Sequence, residues 1–109
     1  MSAHADRLVE IIRLVVDSDA RHRELGADKV TDWVGSYSRD DVALMASILS
    51  VCAACEQDTS TLESQLNALL SLGASGFLQT ENMARLHEVN RDALPGGLGD
   101  YIDDLLEAD

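Results

Sequence analysis

Along most of this chain apolar residues recur three or four apart, the spacing of a helix with one buried face. Leu8, Ile11, Ile12 and Val15 predict a first helix over 5–17, its stripe widened by Val9, Leu14 and Val16. The charged stretch 19–25 reads as a frayed extension that stops at Gly26. Val30, Trp33, Val34 and Tyr37 predict a short helix over 28–36, weakened at its end by Gly35. Ser38 can cap a third helix over 42–55, with Asp40 and Asp41 in its first turn where carboxylates favour the dipole. Val42, Leu44, Met45, Ile48, Leu49, Val51 and Cys52 fill about half of its circumference, and Ala43, Ser47, Ser50 and Ala54 are small. A helix apolar or small all round is buried on several sides, so this one is expected at the centre.

The second half continues the pattern. Ser60-Thr61-Leu62-Glu63 has the form of a capping box, opening a fourth helix that ends before Gly73. Leu62, Leu66, Leu69, Leu70 and Leu72 form its inner face, and Glu63, Ser64, Asn67 and Ser71 its outer one. Phe77 and Leu78 are expected to plug the core. Thr80 is expected to cap a fifth helix with Met83, Leu86 and Val89 inward, followed by Leu94 and stopped by Pro95. Asn90 falls on that inner arc and would need hydrogen-bond partners there. A last helix over 98–107 sets Leu98, Tyr101, Ile102, Leu105 and Leu106 against a stripe of Asp100, Asp103, Asp104 and Glu107. The prediction is an all-α single domain, 1–109, of five to six short helices around a buried central helix at about 40–55.

Composition supports that class. A chain of 109 residues suits one core, and 46% apolar residues with few aromatics favour a Leu- and Ala-rich helical interior. Charge changes the picture more. Twenty acids against eight Lys and Arg leave a net charge of −12, which excludes a phosphate-binding surface and hence nucleic acid. The excess is segregated: residues 1–39 are nearly balanced, whereas from Asp40 to Ala84 there is no Lys or Arg. A solubilising coat explains such a balance equally well, but its segregation favours a basic partner.

Chemistry that would mark an enzyme is missing from the sequence. No G-x-S-x-G, P-loop, H-E-x-x-H or E-x-x-H pattern occurs, and Asp17-Ser18-Asp19 lacks the rest of a calcium loop. Cys52 and Cys55 form a C-x-x-C near a helix end, whereas redox pairs sit at helix N-termini, and a zinc site would need two further ligands. They are expected to be small buried hydrophobes. No metal, no cofactor and no catalytic residue is expected. Neither a secretory leader, nor a lipidation signal, nor an apolar run of spanning length is present, which predicts a cytoplasmic protein away from membranes.

Three stretches carry a family likeness: Leu62-Glu63-Ser64-Gln65-Leu66-Asn67-Ala68-Leu69-Leu70, residues 83–89, and Tyr101-Ile102-Asp103-Asp104-Leu105-Leu106. In these the chain resembles the small acidic all-helical immunity proteins of bacterial toxin–immunity systems, including contact-dependent inhibition. That resemblance implies tight binding to a cognate toxin domain, often a basic nuclease, whose site it blocks. The expected contacts are Asp100, Asp103, Asp104 and Glu107, with Glu56, Asp58 and Glu63 beside them. Two alternatives are a regulatory or adaptor subunit that takes a partner helix in an apolar groove, marked by the neutral outer face of the fourth helix and the exposed side of Trp33 and Tyr37, and a DNA-mimic inhibitor.

Overall fold

A computed structural model describes residues 3–89 and 97–106; Asn90, Leu94, Pro95 and Glu107 lie outside them. The helices are α1 (Ala3–Val15), α2 (Ala20–Asp32), α3 (Arg39–Cys55), α4 (Thr59–Gly73) and α5 (Leu98–Leu106). Two 3-10 segments, Val34–Ser36 and Thr80–Glu88, join them, and no strand occurs among the described residues. The expected all-α fold is the one found. Its buried side chains form one hydrophobic cluster, with Leu49, Leu66, Leu69, Leu72 and Ile102 fully enclosed.

The charged stretch 19–25 is not frayed. Asp19 caps α2, its carboxylate accepting from Arg21 N–H at 2.8 Å, and the helix runs on through Gly26 to Asp32. Gly26 is there for proximity. A Cβ at this position would stand 2.6 Å from the Val15 backbone nitrogen and 2.9 Å from the Leu14 carbonyl carbon. The two helices therefore cross backbone to backbone. Beyond Asp32 the expected helix to 36 gives way to the 3-10 turn at Gly35.

Ser38 caps α3 as expected, and Asp41 completes the capping box by accepting from Ser38 N–H at 2.9 Å. His4 Nε2 lies 2.9 Å from the same Asp41 carboxylate and staples α1 to that end. The start of α4 differs from expectation. Asp58 is the cap, accepting from Thr61 N–H at 2.9 Å and from its hydroxyl at 2.7 Å, so Ser60 and Glu63 form no capping box. Ser60 instead hydrogen-bonds Glu24 across to α2.

The expected fifth helix is a 3-10 segment, kinked at Met83. Met83, Leu86 and Val89 are buried, whereas His87, the i+4 position from Met83, is exposed. Apolar residues at a constant interval of three line up along one edge of a helix with three residues per turn. The buried Ser50 hydroxyl ties this segment to α3, reaching the Ala46 carbonyl at 2.6 Å and the Asn82 carbonyl at 3.3 Å. Phe77 and Leu78 pack half-buried against the cluster. α4 packs against α2, α3 and α5. α3 meets α1, α4 and the second 3-10 segment, yet leaves Leu44 and Val51 about half exposed (47% and 50%), so it is not enclosed all round.

Gly26→Ala should force the α1–α2 crossing apart and destabilise the fold by about 2–4 kcal/mol, since backbone atoms cannot give way. Gly73→Ala, whose new Cβ would meet only the Leu78 Cδ2 at 3.4 Å, should stay within about 0.5 kcal/mol. Urea denaturation of both variants measures the difference.

Candidate functional site

Of the seven acidic residues singled out from sequence, four lie exposed on helix surfaces. α5 buries Leu98, Ile102 and Leu105 and exposes Asp100, Asp103 and Asp104, spaced so that they share its outer side. Glu63 is exposed on α4. Glu107 lies outside the described residues. Asp58 is held by its cap to Thr61, and these two hydrogen bonds draw its carboxyl below the usual range.

Glu56 must be withdrawn as a surface contact. Its side chain is 2% exposed and bonds Arg23 at both oxygens, Nε to Oε1 and Nη2 to Oε2, each at 2.8 Å. Gln65 Nε2 adds a donor at 2.9 Å and the Asp58 backbone N–H another at 3.2 Å. The other end of Arg23 donates from Nη1 to the carbonyls of Asp17 and Ser18 at 3.0 and 2.9 Å. Burial pushes the Glu56 carboxyl up, but the Arg23 hydrogen bonds, the Asp58 N–H, the Arg23 charge and the Gln65 amide outweigh it, and the net shift is downward. The remaining Gln65 oxygen is buried without a hydrogen-bond partner. Counting charge along the chain cannot find this cluster, because its ion pair joins residues 33 apart.

A second surface escaped the sequence reading. Leu44, Ile48, Val51 and Cys55 recur at intervals of four, three and four, which places them on one side of α3. Leu44, Val51 and Cys55 are exposed and Ile48 is half-buried. The signal was present, since a helix with no charge between Val42 and Cys55 has nothing but apolar or small residues to show on any open side. The cysteines are accordingly not both buried: Cys52 is half-buried and Cys55 exposed. They line one open depression of about 390 Å³ with Val16, Arg23, Glu56 and Gln57.

The Trp33 and Tyr37 surface is less open than the adaptor reading needs. Tyr37 is buried, and that burial, with Asp41 and Asp32 nearby, pushes its hydroxyl up to about 12. Trp33 is partly exposed, but the Arg7 guanidinium lies 3.6 Å over its ring. Among the described residues no group of three or more His, Cys, Asp or Glu could hold a metal ion, and no helix is long and apolar enough to cross a membrane. No protein-family model, curated protein or solved structure matches the chain.

Glu56→Gln keeps the shape of the cluster and leaves the Arg23 charge without its counter-ion, so it should cost about 2–4 kcal/mol at pH 7. Because the Glu56 carboxyl sits below its ordinary value of 4.5, its stabilising effect is complete above that value and disappears as pH falls through the lowered one. Stability measured from pH 7 to 3 should therefore fall less steeply in Glu56→Gln than in the wild type, and parallel curves would refute the assignment.

Proposed function

We propose that this chain is a non-catalytic cytoplasmic binding protein that captures and neutralises a basic protein, in the manner of the immunity proteins it resembles. The observation that carries this reading is the division of α5. Its apolar side is locked into the core, while Asp100, Asp103 and Asp104 stand in solvent on the last described helix. A helix so anchored presents carboxylates on a fixed backbone, which favours electrostatic steering of a positively charged partner. Glu63 on the neighbouring α4 adds negative charge, and α4 and α5 are packed together. In the toxin setting these carboxylates would meet the Lys and Arg that a nuclease turns towards phosphate.

A second reading has its own observation. The apolar row Leu44, Ile48, Val51 and Cys55 fits an adaptor that docks an amphipathic partner helix, with basic residues flanking its apolar stripe to suit a chain of net charge −12. A DNA mimic is less well supported. It needs carboxylate rows across several helices, and Glu56 is buried against Arg23 while Asp58, though exposed, is tied to Thr61 as a helix cap.

The test uses Asp100→Lys/Asp104→Lys, two exposed positions one turn apart, and Leu44→Ser/Val51→Ser on α3. Each protein is immobilised, its partner is recovered from extract of the native host at low salt, and the association rate of the identified partner is then measured. Charge reversal on α5 should slow association by about tenfold or more, flatten its dependence on ionic strength, and leave helicity unchanged. Unaltered association after charge reversal, with loss in the α3 variant, would replace the first reading by the second.

A further inference from the structure

We propose that Cys52 and Cys55 are a site of reversible oxidation, a dithiol that a low-molecular-weight disulfide such as oxidised glutathione converts to a disulfide within the last turn of α3. The pair occupies the final turn of that helix and opens onto a single depression. Cys55 is exposed and reachable by a dissolved disulfide; Cys52 is half-buried, its Sγ 3.8 Å from the Val15 carbonyl oxygen.

Geometry at the helix end permits closure. Side chains three apart on an α-helix have Cβ atoms ~5–6 Å apart, and a disulfide needs ~3.5–4.5 Å. The turn here is already tightening. The Glu56 N–H bonds the Ala53 carbonyl at 3.3 Å, a three-residue bond, and Glu56 itself is extended at φ −73°, ψ 130°. Cys55 is the last helical residue, so turning it out of the helix costs its own helical hydrogen bond and no later one, and that rotation can supply the remaining approach to Cys52. The adjustment falls on Cys55, because its extended neighbour Glu56 is held by Arg23. No helix beyond them constrains Cys55.

The exchange runs in two steps. The Cys55 thiolate attacks one sulfur of glutathione disulfide, forming a mixed disulfide and breaking the glutathione S–S bond. The departing glutathione thiolate takes up the proton that Cys55 lost. The Cys52 thiolate then attacks Cys55 Sγ, the protein disulfide forms, and the second glutathione leaves as a thiol. Two protein thiols have given up two electrons and two protons, and one glutathione disulfide has become two thiols. Burial, with Cys55 and Glu56 nearby, pushes the Cys52 thiol up, so the second step is the slower one at neutral pH.

Intact-mass spectrometry of the reduced full chain, incubated with excess oxidised glutathione, tests the site. The wild type should lose two hydrogens, retain no glutathione, stay monomeric on non-reducing electrophoresis, and recover its mass with dithiothreitol. A transient adduct on Cys55 should shorten in lifetime as pH is raised from neutral. Cys52→Ser should stop at one stable glutathione on Cys55. Persistent glutathione adducts on the wild type, covalent dimers, or thiols that remain reduced would each overturn the proposal.

Discussion

The Arg23–Glu56 pair is the interaction on which the rest of the arrangement depends. Two charges taken largely out of water are costly unless their geometry is good and their remaining donors and acceptors are filled. Here the carboxylate accepts from the Nε–Nη2 edge of the guanidinium, from Gln65 and from the Asp58 backbone, and Nη1 at the other end also holds two carbonyls of the α1–α2 connection. One side chain of α2 thereby fixes the preceding loop, the end of α3 and the start of α4. An apolar replacement could fill the same volume, but it would not dictate which loop meets which helix end. The planar fork of arginine is suited to that task as lysine is not, because each nitrogen is directed at a different acceptor.

Local features set up this junction. The Asp19 cap decides where α2 begins, and Arg23 follows one turn later, within reach of Glu56. Asp58 starts α4 directly after the α3 C-cap, so that Gln65, two turns on, comes back to the same carboxylate. Gly26 then lets α1 lie against α2 closely enough for Ile11 and Val15 to join the common core. Helix propensity disfavours a mid-helix glycine by about 1 kcal/mol, and the close crossing offsets it. Thr61, buried on α4, donates to the Ala20 carbonyl at 3.1 Å and locks the two helices in register.

What could be read from the sequence was whatever depends on neighbours a few residues away. The Ser38 cap, the extent of α3 and the two-sided character of α5 are of this kind, and all three are found. The misreadings share a different cause. Gly26 reads as a helix stop because its reason for being glycine is the backbone of α1 at Leu14 and Val15, beyond the reach of any local pattern. Ser60 reads as a cap because the box pattern fits there, while Asp58, two residues ahead, offers a carboxylate that serves the Thr61 N–H. Glu56 reads as surface charge because its partner is 33 positions away. The outer side of α3 reads as core because an all-apolar helix carries no polar face to mark the side turned to water.

The same contacts change what the net charge means. Asp19, Asp41 and Asp58 sit at helix starts, where carboxylates meet unsatisfied N–H groups and the positive end of the dipole, and Glu56 is neutralised by Arg23. That part of the charge maintains the fold. Solvent-facing carboxylates also stand on α1 (Asp6, Glu10) and α2 (Asp28, Asp32), but there they alternate with Arg7, Arg13, Arg21 and Lys29, whereas α5 exposes Asp100, Asp103 and Asp104 with no Lys or Arg on the same helix. What sets α5 apart is therefore the lack of any Lys or Arg along the helix that carries its exposed carboxylates, rather than exposure alone. The apolar row on α3, interrupted only by the small exposed Ser47, is a second distinct surface, because Leu44, Val51 and Cys55 would gain by being covered. The carboxylates of α5 and the apolar row of α3 thus lie on different helices, and neither includes a residue that holds Arg23 and Glu56 together.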